Sequence, residues 1–223
     1  MASSPSEIWR SSPGTRTATK RALLIGVTYK KKYMLKGTVN DVMSMRELLI
    51  KNFGFKEQNN IRVLTEQDTT RKKILESMEW LVRDCQAEGM ISDNEINSLI
   101  VWPLKKDVTL HAIVDACHSG TVLDLEHVYN REQKRWEDNS PPSGKARKHT
   151  DGGLAISISA CQDHEIAVDT SAFTKTMNGA LTYLFSGCLP AKVLRKIFKN
   201  QLLQTPQISS SKPFDVYKKH FLL

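Results

Sequence analysis

The chain is organised around residues 111–121, which read HAIVDACHSGT. A short apolar run at 112–114 ends abruptly at Asp115, and Cys117 follows just before a Ser-Gly turn. In an open α/β sheet, ligands bind beyond the carboxyl ends of the strands. The pattern therefore predicts a buried strand that delivers a cysteine to the edge of a sheet where chemistry takes place. The alternative is a structural thiol on a core strand, because free cysteine packs as a compact hydrophobe.

The composition is that of one folded domain with a tail. The chain has 223 residues, of which 40% are hydrophobic and 25% are charged, and this is enough for one sizeable core. Residues 1–19 are rich in Ser, Pro, Thr and Arg, which predicts a disordered N-terminal tail, although an organelle-targeting segment has a similar composition. We expect the folded domain to span residues 20–223, with a flexible charged loop at 130–153.

The cysteines and the lack of a long apolar run limit the compartment and the kind of site. Cys85, Cys117, Cys161 and Cys188 include no CxxC pair, which argues against a structural zinc site and a disulfide framework. No apolar run approaches the roughly 18 residues needed to span a bilayer, and the N-terminus has no secretory h-region. We expect reduced thiols in the cytoplasm, with the nucleus as the alternative.

The net charge of +8 raises the question of an anionic partner. The basic residues are dispersed along the chain, and no aromatic-basic signature of a DNA- or RNA-binding module accompanies them. A basic amphipathic helix is predicted at 191–203, and packing on its own sheet is a commoner role for such a helix than lying on a membrane. We expect neither a nucleic-acid partner nor a membrane partner.

Strands and helices alternate over the first part of the chain. The order strand, helix, strand, helix is the βαβ rhythm of a parallel sheet, so the predicted fold class is α/β. Asn40 is the predicted cap of the first helix and Gly54 its stop. The predicted strands are 22–27, 61–64, 109–116, 154–160 and 214–217, and the predicted helices are 40–53, 71–83, 174–185 and 191–203.

The alternation breaks after Arg83. A short polar link leads to Ser92 and Glu95, which form a capping box that opens another helix. Two helices therefore follow one another with no strand between them, at a point where a parallel sheet requires a strand.

Six stretches of the chain carry a family resemblance. They are KRALLIGVTY (20–29), LKGTVNDVMSM (35–45), GMISDNEIN (89–97), LHAIVDACHSGT (110–121), TDGGLAISISACQD (150–163) and FDVYKKHF (214–221). Together they resemble a plant-type metacaspase of the first class, a branch of the caspase-like cysteine peptidases. The resemblance implies a caspase-like three-layer sandwich with a mostly parallel sheet. It also implies cysteine endopeptidase activity after Arg or Lys, usually calcium-dependent.

Three residues of this chain match functional positions of the family. Cys117 falls on the nucleophile, and Asp41 and Asp115 fall on the acids that line the pocket for the basic side chain. Two carboxylates suit that pocket, because a guanidinium or ammonium group that leaves water needs charge-assisted partners. The alternatives are that Asp41 stabilises a helix start and that Asp115 ends a strand. The charged loop at 145–148 matches the place where relatives cut themselves, so its three basic residues are candidate cleavage points, although a solvated linker would look the same.

The chain departs from the family at the break in alternation. Relatives carry a strand there that ends in a His-Ser-Gly-His-Gly type motif, followed by an acidic calcium-binding stretch, whereas here Arg83 runs almost directly into Gly89. The departure implies that one inner strand, the catalytic histidine, an oxyanion-hole amide and the calcium ligands are missing. We therefore expect no cofactor and impaired activity. His118 and His164 are the substitutes that the sequence offers for the histidine.

Two readings of the partner follow from the resemblance. As an endopeptidase, the protein takes a basic, Arg- or Lys-containing peptide or protein as substrate. As a non-catalytic relative, it binds such peptides without turnover or pairs with a complete metacaspase.

Overall fold

The computed structural model describes residues 20–28, 37–56, 60–83, 96–117, 119–140, 148–167, 169–170, 178–182 and 204–216. The predicted tail at 1–19 lies outside this part. The chain divides into two compact units, the first made of residues 1–77, 169–189 and 217–223, and the second of residues 78–168 and 190–216. Among the described helices, none is long and apolar enough to cross a membrane.

The first unit is built on a parallel strand pair. Strand β1 (Ala22–Gly26) runs parallel to β2 (Ile61–Thr65), with Ala22 opposite Ile61. Helix α1 (Thr38–Phe53) connects them and turns one apolar side inward. Its buried residues are Val42, Met45, Leu48 and Leu49, which repeat at helical spacing as the sequence predicts.

Helix α1 begins two residues before the predicted start. Gly37, rather than Asn40, occupies the N-cap position, and the Gly37 carbonyl accepts the first helical bond from the Asp41 N–H at 3.0 Å. The predicted stop at Gly54 is confirmed, because this residue adopts a left-handed conformation with φ of 69° and its N–H caps the Leu49 carbonyl. Asp41 therefore lies in the first turn of α1.

Gly26 lets α1 approach the carboxyl end of β1. A Cβ atom at this position would lie 2.8 Å from Val42 Cγ2 and 3.0 Å from the Thr38 carbonyl oxygen. The missing side chain thus brings the first turn of α1 against the strand. It fixes the place of Asp41 in the first unit.

Helix α2 (Arg71–Val82) follows β2, and the division between the two units falls within it, after Ser77. The predicted capping box of Ser92 and Glu95 lies outside the described residues, as do most of the predicted helix 174–185 and all of the predicted helix 191–203. The chain re-enters the described part in a short π-helical turn, Asn97–Val101. This turn buries Leu99, Ile100 and Val101.

The second unit contains a five-stranded mixed sheet with the order β3-β6-β9-β4-β5. Strand β3 (Thr109–Val114) runs parallel to β6 (Leu154–Ser159), with Thr109 opposite Leu154. The other pairings are antiparallel and involve β4 (His127–Asn130), β5 (Arg135–Asp138) and β9 (Gln207–Ser210). Two-residue strands β7 (Asp169–Thr170) and β8 (Asn178–Gly179) pair within the first unit.

The predicted α/β class is confirmed, and the two longest strand pairings are parallel. The described strands nevertheless form separate sheets, and β3 is an edge strand of its sheet. Its apolar residues, such as Ile113 and Val114, are half-buried, whereas Ala155 and Ile156 on β6 are buried. A strand as apolar as β3 normally has neighbours on both sides. Its place at an edge fits a chain that lacks one inner strand.

Two predicted elements differ from the structure. The polar stretch at 130–153, predicted as a loop, contains β5, because Trp136 packs on Tyr129 and Phe214 at centroid distances of 5.3 and 5.0 Å. The predicted last strand at 214–217 is wrong for its described residues, since the Phe214 carbonyl accepts the Trp136 indole N–H instead of pairing in a sheet. The sheet gains β9, which the sequence hides because its serines are buried with satisfied hydroxyls, as where Ser210 Oγ donates to the Ala155 carbonyl.

The close approach at Gly26 is directly testable. We expect Gly26→Ala to lower the free energy of unfolding by about 1–3 kcal/mol, because the added methyl overlaps backbone and side chain of α1. Urea denaturation followed by circular dichroism measures the loss. Gly54→Asn is the matched control, since nothing lies within 4 Å of a Cβ there and Asn tolerates a left-handed φ. Equal stability of Gly26→Ala and wild type would contradict the packing described.

Candidate active site

Cys117 lies just beyond the carboxyl end of β3, as the sequence predicts. Its side chain is exposed, and its Sγ donates to the Ala167 carbonyl at 3.8 Å. Ala167 belongs to residues 160–167, which follow β6, the parallel neighbour of β3. We call residues 115–121 the cysteine loop and residues 160–167 the β6 loop. The parallel pairing brings both loops to one edge of the sheet.

Buried contacts join the two loops behind Cys117. Cys161 is fully buried, and its Sγ lies 3.4 Å from the carbonyl oxygens of both Ala116 and Glu165. Ser119 is also fully buried, with its Oγ 4.0 Å from Cys161 Sγ. Cys161 is therefore a structural thiol, whereas Cys117 is open to solvent.

The Ser-Gly turn of the cysteine loop has a glycine at position 120 because a side chain there would collide with its neighbours. A Cβ atom there would lie 2.9 Å from Asp163 Oδ1 and 3.0 Å from Asp163 N. The same carboxylate accepts two bonds of 2.9 Å from Thr121, one from its N–H and one from its hydroxyl. Gln207 Nε2 donates to the Gly120 carbonyl at 3.0 Å. Side chains from the β6 loop and from β9 thus clamp the cysteine loop from both sides.

Glu165 fixes the β6 loop that contacts Cys117. Its carboxylate accepts the Gln162 N–H at 3.1 Å, the Thr205 N–H at 2.8 Å and the Thr205 hydroxyl at 3.1 Å. These bonds tie the β6 loop to the segment that leads into β9. The Ala167 carbonyl therefore stands on a braced loop.

The chain beyond the cysteine loop is held by two buried polar side chains. Asn97 Nδ2 donates to the carbonyl of Leu123 at 2.8 Å and to that of Asp124 at 3.2 Å. Lys148 Nζ pairs with Asp124 Oδ1 at 2.7 Å and donates to the Asn139 carbonyl at 2.5 Å. Lys148 is only 8% exposed, whereas the basic residues just before it lie outside the described part of the chain, so self-cleavage in this loop stays a prediction.

The structure places the predicted acids in different units. Asp115 follows β3 in the second unit, two residues before Cys117, and is half-buried. Asp41 lies in the first unit, where its Oδ2 accepts the Gly179 N–H at 2.8 Å. One oxygen of the Asp41 carboxylate is thus held by a backbone amide. The pocket role of both acids stays a prediction.

The structure describes one of the two histidines that the sequence offers as a substitute base. His118 lies outside the described residues. His164 is exposed on the β6 loop, and its imidazole makes no hydrogen bond to Cys117. Throughout the described part of the chain, the hydrogen-bond partner of the Cys117 thiol is a carbonyl oxygen, which accepts a hydrogen bond but is not basic enough to take the proton.

Metal-binding side chains are not gathered in the described part of the chain, which holds no group of three or more His, Cys, Asp or Glu residues fit for a metal ion. Near the cysteine loop, the Asp124 carboxylate is instead paired with Lys148. The absence of a calcium site therefore stays a prediction for the residues outside the described part.

The sequence prediction missed the side chains that brace the site. Asp163, Glu165 and Gln207 contribute nothing to the apolar periodicity from which strands are predicted. A signal exists for two of them, because polar residues that directly follow a predicted parallel strand lie at the same edge as the cysteine loop. Gln207 carries no such signal, since the strand that it begins was not predicted.

The sequence of this chain is similar to known metacaspases. The profile described as "Metacaspase, peptidase C14 domain" matches in two pieces, residues 20–88 and 83–126, which meet at 83–88. Metacaspase-1 and Metacaspase-3 of Arabidopsis thaliana are each 34% identical over 92% of this chain and over 78% and 75% of their own lengths. Metacaspase-1 of Schizosaccharomyces pombe is 26% identical over 88% of this chain and 68% of its own length.

The alignment with Arabidopsis Metacaspase-1 contains long gaps. The alignment is 290 positions long, and the 92% of this chain that it covers amounts to about 205 residues. About 85 positions of the alignment therefore have no residue of this chain.

A solved structure shares the fold. The crystal structure of a protein from Geobacter sulfurreducens superimposes with a TM-score of 0.57 at 17% identity, covering 91% of this chain and 97% of that one. With the two Arabidopsis relatives above 30% identity over most of their lengths, the family is established. The chain belongs to the metacaspase family of C14 cysteine peptidases.

Proposed function

We propose that this protein is a cysteine endopeptidase homologue in which Cys117 attacks peptides at Arg or Lys, with turnover strongly impaired by the lack of a general base. The observation that carries the proposal is the exposed Cys117 thiol on a braced loop at the carboxyl end of β3. A structural cysteine would instead be buried, as Cys161 is.

The chemistry can be followed atom by atom. The Cys117 sulfur attacks the scissile carbonyl carbon, the C–N bond breaks, the amine leaves with a proton, and a thioester remains. Water then attacks the thioester, releasing the carboxylic acid and restoring the thiol. Both steps need proton transfer, and a positioned general base contributes about 10²- to 10⁴-fold to such steps. Among the described residues, the Cys117 thiol has a carbonyl oxygen as its partner, so in this proposal solvent accepts its proton.

The proposed loss of the base is supported by where similarity to the family is interrupted. The family profile breaks at residues 83–88, between α2 and the short helical turn at Asn97–Val101. At this same place the resemblance to the family implies that the strand with the catalytic histidine is missing. The edge position of β3 agrees with this loss, because that inner strand would have been its neighbour.

Specificity for a basic residue rests on the two acids. Asp115 is two residues from Cys117 and half-buried, so a bound guanidinium would meet a carboxylate in a partly desolvated setting. Asp41, held by the Gly179 amide, is the second acid proposed for this role.

A second candidate is a non-catalytic metacaspase relative that binds basic peptides or a complete family member. The observation that favours it is the hydrogen bond from the Cys117 thiol to the Ala167 carbonyl, because a carbonyl oxygen cannot take the thiol proton as a general base does. The two candidates differ in whether Cys117 reacts with a bound substrate mimic.

Labelling of Cys117 separates these candidates. Two acyloxymethyl ketones are compared, one with Arg and one with Gln next to the electrophile, and each labelling rate is divided by the rate for chloroacetamide. We expect this normalised rate at Cys117 to be at least tenfold higher for Arg than for Gln, because only Arg carries a charge that the acids can bind. Mass spectrometry of tryptic peptides identifies the modified cysteine, and Cys117→Ala is the control. Equal selectivity for Arg and Gln would contradict the basic specificity, and labelling no faster than that of a free thiol would favour the binding protein.

The role of Asp115 is tested with the same reagents. We expect Asp115→Asn to reduce the Arg preference by about tenfold while leaving the chloroacetamide rate unchanged, since a charge-assisted bond becomes a neutral one. Asp151→Asn, at an exposed position of the same unit, is the matched control. An unchanged preference in Asp115→Asn would show that Asp115 ends the strand without binding substrate.

The crowding at Gly120 predicts that a larger residue there reduces labelling of Cys117 by the Arg reagent while the thiol itself stays reactive. We expect Gly120→Ala to push Asp163 away from the cysteine loop and to lower the Arg reagent's labelling rate by about tenfold or more, because misplacement by about 1 Å costs a positioned reaction about that much. The chloroacetamide rate should change far less. If both rates stay at wild-type values, the clamp on the cysteine loop does not position Cys117.

A further inference from the structure

Lys148 is a buried cation that the proposed chemistry does not use. Only 8% of this residue is exposed, although lysine is almost never buried without a partner. Its Nζ pairs with Asp124 Oδ1 at 2.7 Å and donates to the Asn139 carbonyl at 2.5 Å. A buried ion pair often contributes no more stability than apolar residues of similar volume, because both charges lose their water. What the pair does fix is the geometry of the segments that it joins.

Asn139, which binds the Lys148 ammonium, is itself tied to the chain that follows Asp124. The Asn139 N–H donates to the Glu126 carbonyl at 2.7 Å, and its Nδ2 donates to the Leu125 carbonyl at 3.1 Å. The ammonium group therefore joins the segment after β5 to residues 124–126. The Asn139 carbonyl that it binds is fixed in position by these bonds.

Asp124 closes a turn that leaves the cysteine loop. Its N–H donates to the Thr121 carbonyl at 2.7 Å, and it has a left-handed φ of 47°, which Asp tolerates better than most residues. A non-glycine residue keeps such a conformation when its surroundings hold it there. Asn97 binds the Asp124 carbonyl at 3.2 Å, and Lys148 binds its carboxylate at 2.7 Å. The two buried side chains thus support the closing residue of the turn.

Thr121 is the point at which this support reaches the cysteine loop. It is the last residue of that loop, and its carbonyl accepts the Asp124 N–H, whereas its own N–H and hydroxyl are bound by Asp163 of the β6 loop. Two contacts, from Lys148 to Asp124 and from Asp124 to Thr121, therefore connect the buried ammonium with the loop that carries Cys117.

We propose that Lys148 is a positioning residue for Cys117, which acts through Asp124 and the turn that leaves the cysteine loop. This inference rests on the proposed function, because it concerns the reaction of Cys117 with a bound basic peptide. Without the ammonium group, the Asp124 carboxylate, whose side chain is 39% exposed, turns to solvent and the turn loses one of its supports. The cysteine loop then keeps its thiol but holds it less accurately against a bound substrate.

Neutral variants of the pair test this role on the full chain. Lys148→Met keeps an unbranched apolar stem, and Asp124→Asn keeps a residue that tolerates a left-handed φ. The readout is labelling of Cys117 by the Arg ketone, divided by the rate for chloroacetamide. We expect each single variant to lower this normalised rate by about tenfold, because misplacement by about 1 Å costs a positioned reaction about that much. Lys106→Met, at an exposed position of the same unit, is the matched control for the loss of one positive charge.

The double variant, Lys148→Met with Asp124→Asn, separates positioning from stability. Removing one partner of a buried pair leaves an uncompensated charge, whereas removing both partners often restores stability. We therefore expect the double variant to unfold thermally near the wild-type temperature and yet to keep the tenfold lower normalised rate. If Lys148→Met alone does not fold, Lys148→Gln takes its place, because its amide can still donate to the Asn139 carbonyl.

Recovery of both the unfolding temperature and the normalised rate in the double variant would show that the pair serves stability alone, and the positioning role would be overturned. Single variants that keep the wild-type Arg preference would overturn it as well, with the proposed function left standing. Equal normalised rates for the Arg and Gln ketones in the wild type would overturn the proposed function and the positioning role with it.

Discussion

The parallel pairing of β3 with β6 is the constraint on which the rest of the site depends. The ladder continues past the strands themselves, because the Ala160 N–H donates to the Val114 carbonyl at 2.9 Å. Two parallel strands end at the same edge, so the loops that leave them meet. The hydrogen bonds that brace the two loops cross between them or come from β9, the next strand in the sheet, and from the segment that leads into it. Among the described residues, these contacts all lie within the second unit.

Presenting a cysteine thiol and activating it as a nucleophile are separate tasks, and the described residues of this chain bear on the first. The cysteine loop keeps its buried Ser119, its crowded Gly120 and its clamp, all of which serve presentation. Activation requires a base, and in the described residues Cys117 meets a carbonyl instead. Among the described strands, β3 stands at an edge with half-buried apolar residues. Under the proposed function, the absence of the histidine-bearing strand would account both for the missing base and for this edge.

Sequence alone predicted the parts of the structure that carry a strong apolar period. Strands β1, β2, β3 and β6 and helices α1 and α2 all appear within a few residues of their predicted limits. Strand β9 could not be predicted, because its buried serines are tolerated through hydrogen bonds that only the folded sheet supplies. Cys117 was found from its position after a strand and from family resemblance. Its bracing side chains, such as Gln207, depend on long-range packing that no local pattern records.

Whether Cys117 is presented without a base can be tested by comparing the hydrolysis of an amide and an ester of the same peptide. An amide nitrogen must receive a proton to leave, whereas a p-nitrophenolate leaves without one, so a missing acid–base residue penalises the amide far more. We expect an Arg p-nitrophenyl ester to be cleaved above its spontaneous rate, Cys117→Ala to remove this cleavage, and the matching peptide amide to stay intact. Amide cleavage with kcat/KM comparable to that of the ester, and likewise lost in Cys117→Ala, would contradict this expectation.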